Sequence, residues 1–262
     1  MAYVRVPDPL LDVNKPGRSV DWKQIRDNQD YFDAQVDILL RKTSITDQDI
    51  RDHFTAPILN TGNWNTKVGA GDTIVVAAPH TVTLTTNGVT VNDHAVLWAT
   101  TNRQRIVKSE EYVAYCEARV KRTGGNSAHY VFGWNDDTLF GGGTEENGVT
   151  DQTDCVLVKW DGAGNWLGMT SLGAASSNTA GFGTGGNWSR IRMEFTCSAT
   201  AGNRKVDFFL EDVFQATLNT DANIPAALLC PVIGIRGDNT GAVRVLAVDF
   251  VEFGFLTTPL AA

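Results

Sequence analysis

The sequence predicts a mainly β protein, an antiparallel β-sandwich preceded by an extended N-terminal arm and one oligomerising α-helix. Three observations predict it. From Asn60 onward apolar residues recur with a period of two. Glycine is abundant, at 25 of 262 residues, and gathers with Asn between the apolar runs, where turns need it. A heptad rhythm occurs in one place only, the stretch SVDWKQIRDNQDYFDAQVDILLRK from Ser19 to Lys42.

The chain divides accordingly into an arm over 1–18, a helical stem over 19–58 and a sandwich over 59–262. In the arm, Pro7, Pro9 and Pro16-Gly17 forbid a helix and favour an extended course. In the stem, heptads run over 22–42. Trp22, Ile25, Phe32, Val36 and Leu39 fall at steps of three and four, and Gln29 supplies one polar layer in the same stripe. At about 1.5 Å per residue this helix spans ~35 Å, a length that is marginal for a solitary helix in water. These six residues are therefore expected to pack against copies of themselves. A short second helix is expected over 47–54, with Thr46 as its N-cap and Ile45 and Ile50 as a hydrophobic staple, closed by Pro57.

Within the sandwich, TVTLTTNGVTV alternates on both sides of Asn87-Gly88, the pair best suited to a two-residue hairpin. Further strands are expected at AVLWAT (95–100), YVAYCEARVKR (112–122), AHYVFGW (128–134), CVLVKW (155–160), SRIRMEFTC (189–197), KVDFFLE (205–211), FQATLNT (214–220), PVIGIRG (231–237) and VRVLAVDFVEF (243–253). In SRIRMEFTC, Ile191, Met193, Phe195 and Cys197 share one face while Arg190, Arg192, Glu194 and Thr196 share the other. No helical pattern interrupts these strands, which disfavours an α/β fold.

Composition narrows the function. A net charge of −8 offers no basic field for phosphate backbones, so nucleic acid is not an expected partner. No apolar run approaches the ~20 residues of a membrane span, and the N-terminal residues lack a signal-peptide core. Cys116, Cys155, Cys197 and Cys230 are far apart and have no metal-ligand spacing, so they read as buried thiols. GFGTGG (181–186) has glycine spacing but no strand before it and no helix after it, so it reads as a loop, not a nucleotide site. GGGTEENG (141–148) reads as a flexible tip. His53, His80, His94 and His129 show no paired spacing, and no nucleophile elbow occurs. Neither a metal nor a cofactor is expected.

Tryptophan in polar, turn-like settings is the remaining signal, at Trp64, Trp134, Trp166 and Trp188. Aromatic faces stack on the C–H faces of sugars while Asn and Asp bind the hydroxyls. The expected glycan site is Trp134 with Asn135, Asp136 and Asp137. Its rival is that Trp134 faces inward with Tyr130 and Phe132, which share its parity. Asn135, Asp136 and Asp137 also offer oxygens to Ca²⁺, but without the spacing of a ligand loop.

NWSRIRMEF followed by KVDFFLEDVFQATL resembles the paired strands of concanavalin A-like, laminin G-like jelly rolls. There a Trp-led strand precedes one reading apolar-Tyr-apolar-Asp-Gly, here Phe208-Phe209-Leu210-Glu211-Asp212, with Asp212 where that pattern has glycine. The likeness runs from about Asn60 to Phe255. The front end, a Pro-containing arm and then an amphipathic helix, resembles the layout of tailed-bacteriophage fibres and capsid decoration proteins. That resemblance implies a virion structural protein without enzymatic activity, a homotrimeric knob decorating or cementing the capsid or forming a short head fibre. It implies assembly in the host bacterial cytoplasm, contact of the arm with the major capsid protein, and a capacity for host-surface glycan. Two alternatives stay open: a tail fibre or receptor-binding protein, and a polysaccharide-binding or polysaccharide-degrading jelly roll.

Overall fold

Apolar residues at alternate positions oblige a strand to bury one face. The chain meets that demand with two antiparallel sheets. The computed structural model describes residues 49–56, 58–77, 80–88, 93–100, 105–124, 129–140, 154–160, 162–173, 175–183, 187–237 and 242–256. The chain divides into two units, and the sandwich is the unit Ile45–Phe255. The arm over 1–18 and the heptads over 22–42, with Trp22, Ile25, Gln29, Phe32, Val36 and Leu39, lie outside the described residues.

Sheet A contains β1 (Ile50–Asp52), β3 (Thr73–Ala77), β4 (Thr81–Thr86), β6 (Tyr112–Thr123), β11 (Ser189–Cys197), β12 (Lys205–Leu210), β13 (Val213–Leu218) and β15 (Arg244–Leu256). Sheet B contains β2 (Trp64–Val68), β5 (His94–Ala99), β7 (His129–Asp136), β8 (Cys155–Trp160), β9 (Trp166–Leu172), β10 (Ala175–Asn178) and β14 (Leu229–Arg236). Sheet A runs β13-β12-β11-β6-β15-β4-β3, with β1 against the C-terminal part of β15, and sheet B runs β10-β9-β8-β7-β14-β5-β2. Long jumps between neighbours, such as β6 beside β15 and β7 beside β14, give the jelly-roll connectivity.

The core forms where the inner faces meet. Phe253 of β15 meets Trp134 edge-on at 5.6 Å and Trp64 at 6.2 Å, so one sheet A ring bridges two rings of sheet B. Phe208 of β12 packs over Gly168 of β9 so closely that a Cβ there would stand 2.4 Å from the ring. On β11 the expected inward set Ile191, Met193, Phe195 and Cys197 is buried. Sheet B is apolar on its far face too: Val96, Val131, Leu157, Met169 and Val232 alternate with the inward residues and are all buried. All four cysteines are buried thiols outside any disulfide, and burial pushes Cys197 and Cys230 up to about 12.

Two local expectations are corrected. Ile50–Asp52 forms a strand where a helix was expected over 47–54. Pairing with Val251–Phe253 of β15 buries Ile50, and the Asp52 carboxylate accepts the Trp64 indole N–H at 3.0 Å, so tertiary contacts outweigh a single helical turn. Asn87-Gly88 does not join a hairpin, because β4 is already flanked by β3 and β15 and the chain crosses to β5 in the other sheet. Gly88 is needed for another reason: at φ +71° its Cα lies against the Ala242 backbone, leaving no room for a Cβ. The β12–β13 turn instead places Glu211 and Asp212 both at positive φ, as a type I′ hairpin requires.

Asp72, beside the β2–β3 turn, joins three segments, accepting the backbone N–H of Asn87 at 2.9 Å and of His94 at 2.6 Å. Burial and the nearby Asp93 raise its pKa, against the backbone hydrogen bonds and His94, which lower it. A raised folded-state pKa contributes stability that is present below the unfolded carboxyl value and lost as pH rises through the folded one. Measured by urea unfolding across the acid range, the stability of the wild type relative to Asp72→Asn is expected to shrink as pH rises. A difference that grows with pH would contradict this assignment.

Candidate functional site

The expected glycan residues do not form an open site. Trp134 is fully buried, because its pairing with Val156 and Pro231 directs the ring inward onto Phe253. Asn135 is buried as well. Asp136 accepts the backbone N–H and the hydroxyl of Thr138, capping a short 3₁₀ turn. Asp137 pairs with Arg105 at 2.8 Å. The carboxylates therefore organise a strand end, and the buried Trp134 offers no face beside them to stack on a sugar. Trp64 and Trp166 are buried too, at 2% and 0% exposure. Of the four tryptophans in turn-like settings, Trp188 alone keeps part of its surface open.

Trp188 directly precedes β11, with the parity of Arg190, Arg192 and Glu194, and so lies on the outer face of sheet A. The register of β11 against β6 sets Arg190 opposite Arg119 and Arg192 opposite Glu117. Arg119 is thereby placed over the Trp188 ring, 5.2 Å from its centroid, and bonds Asp249 of β15 at 2.7 Å. Arg190 joins Glu117 through Nε and Asp212 through Nη1, the latter at 2.9 Å. Burial opposes the charge of the Arg190 guanidinium, but Glu117 and then Asp212 and Glu211 hold its pKa above the ordinary arginine value. Farther along β11, Arg192 pairs with Glu194 and lies 4.2 Å from the Phe209 ring centroid.

The result is a surface with a partly exposed indole at one corner and two partly exposed guanidinium–carboxylate pairs beside it, Arg119–Asp249 and Arg190–Asp212, supported by the buried Glu117, Arg192 and Glu194. Each arginine orients a carboxylate, so acceptor oxygens and N–H donors are held at set positions before any ligand arrives. Such a face can stack a pyranose on the ring and exchange hydrogen bonds with its hydroxyls. Among the described residues no group of three or more His, Cys, Asp or Glu converges as a metal site.

The sequence pattern points to Trp188 only as one of four, and it places Arg190, Arg192, Glu194 and Thr196 on the second face of the strand without assigning them a role. Their partners come from far along the chain, Glu117 at 73 residues from Arg190 and Asp249 at 130 from Arg119. Asp212, in the turn, was noted only as a departure from a glycine pattern.

No family model matches the chain, and no curated protein matches it in sequence. Solved structures do match the fold. A laminarinase from Flavobacterium sp. UMI-01 superposes with a TM-score of 0.51 at 16% identity, over 78% of this chain and 98% of that one. An endo-1,3-β-glucanase from Streptomyces sioyaensis superposes with a TM-score of 0.56 at 10% identity, over 82% and 99%. The carbohydrate recognition domain of Emp47p superposes with a TM-score of 0.54 at 11% identity, over 82% and 97%. At these identities the likeness shows the concanavalin A-like jelly-roll fold, and none of the three is a virion protein. The expectation that the chain is not an enzyme is corrected: glucanases predominate among these neighbours, with further endo-1,3-β-glucanases at 11% identity sharing the fold.

Two variants separate core from surface. Trp134→Ala empties a fully buried aromatic position and is expected to cost ~3–5 kcal/mol in urea unfolding, whatever it does to binding. Arg190→Ala leaves the buried Glu117 without its guanidinium; because Arg190 is 31% exposed, the expected cost is discounted to about 1–3 kcal/mol. Adding Glu117→Gln should recover part of that loss. Equal instability of the single and double variants would show that the pair does not act as a unit.

Proposed function

We propose that this chain recognises a polysaccharide through the Trp188 corner of sheet A, as a glycan-engaging jelly roll. One observation carries the reading: the partly exposed Trp188 ring stands beside the partly open carboxylates of Asp212 and Asp249, which Arg190 and Arg119 hold in place, while the buried Glu117 anchors Arg190 from beneath. The ring accepts the apolar face of a pyranose, the carboxylates accept hydroxyl protons, and Arg119, with its side chain 45% exposed, donates to ring or hydroxyl oxygens. The fold is shared with proteins named as laminarinases, endo-1,3-β-glucanases and a carbohydrate recognition domain, which supports a β-linked glucan as the first class to try. Among the described residues, the central side chains on the far face of sheet B are apolar and buried, and the charged pairs beside Trp188 lie on sheet A.

The test is calorimetric titration with laminarin and a mixed-linked β-glucan, with release of reducing ends followed in the same samples to detect cleavage. Binding is expected, and Trp188→Ala is expected to weaken it roughly tenfold, about 1.4 kcal/mol, while the β-sheet circular dichroism is unchanged. Absence of binding to every glucan, or equal binding by a folded Trp188→Ala protein, would sink the proposal.

A further inference from the structure

We infer that the glycan site continues from Trp188 to Phe214 and takes an internal stretch of polymer, not a single sugar or a chain end; this rests on the polysaccharide reading above. Phe214 of the edge strand β13 is 56% exposed, unusual for so large an apolar side chain, and Val213 beside it is 59% exposed. Phe214 is not isolated. It lies opposite Phe209 in register and meets that ring edge-on at 5.9 Å, and Phe209 in turn lies opposite Arg192, whose guanidinium covers it at 4.2 Å. Phe208, the preceding residue of β12, is the one that enters the core, so Phe209 and Phe214 belong to the outer face that carries Trp188 and the arginine row. The accessible surface therefore runs from the indole, over the partly exposed Arg190 and the half-buried Phe209, to an exposed phenyl ring, with the buried Arg192 supporting Phe209.

Strand geometry sets its length. From Trp188 to Arg192 is four residues along β11, ~13 Å at about 3.3 Å each, and from β11 to β13 is two strand spacings, ~10 Å. The two rings are thus separated by roughly 16 Å on the diagonal. A linked pyranose advances roughly 5 Å, the reach of a few ~1.5 Å bonds, so about three units separate the rings. An aromatic at each end with the partly exposed Arg190–Asp212 pair between them suits an extended neutral polymer lying across the strands. A terminal sugar would use one ring and leave the other idle.

Binding of laminari-oligosaccharides from two to six units to the whole chain tests this. Affinity is expected to rise at least tenfold between the disaccharide and the longer members. Phe214→Ala should abolish that rise while leaving disaccharide affinity unchanged, Phe214→Tyr should retain it, and Trp188→Ala should weaken every length. Because Phe214 is exposed, the Ala variant should keep its fold, which the melting temperature checks. If the disaccharide binds as tightly as the hexasaccharide, or if Phe214→Ala keeps the length dependence, the extended site is wrong while the Trp188 site stands. If loss of Phe214 changes only self-association in light scattering, the ring belongs to a contact between copies and the inference fails. If no length binds, both readings fall together.

Discussion

Everything else in this sandwich depends on the edge-on meeting of Phe253 with Trp64 and Trp134 across the two sheets. Burying a side chain of this kind contributes ~1.5–3 kcal/mol, and edge-to-face pairing adds ~0.5–1.5 kcal/mol for each ring pair. The geometry matters more than the sum. Rings that interlock this way tolerate no one-residue slip, because a slip would turn the whole strand over and expose them. Asp52 reinforces the arrangement by accepting the Trp64 indole N–H, which ties the short β1 to the same cluster.

The surface inherits its order from that core. With Ile191, Met193 and Phe195 committed inward, Arg190, Arg192 and Glu194 have no choice but to face outward, and the β6 register then decides their neighbours. The positive-φ turn at Glu211-Asp212 brings a further carboxylate back over Arg190. A face built in this way is stiff, because Arg119 and Arg190 are each held by carboxylates from other strands or from the β12–β13 turn.

The same scaffold is used by proteins of different activity, so the sandwich alone does not choose among them. What is particular to this chain is the distribution of open and closed surface. Sheet B is apolar on both faces, whereas sheet A is apolar inside and carries charged and aromatic groups outside. That asymmetry follows from the local patterns, continuous in CVLV and PVIGI and alternating in SRIRMEFTC.

The sequence by itself determined the mainly β class, most of the strands, and the two faces of β11, because a period of two is a property of each segment and needs no partner to be read. The same alternation placed Trp134 with Tyr130 and Phe132, which is where the ring is found. Tertiary structure decided what local patterns leave open. Ile50–Asp52 became a strand because β15 had an unpaired stretch to offer, and Asn87-Gly88 lost its hairpin because both neighbours of β4 were taken. The candidate site was out of reach for the same reason: Trp188, Arg119, Glu117, Asp249 and Asp212 come from four places in the chain. Their meeting depends on which strands lie side by side, a matter of packing between distant segments that no single segment encodes.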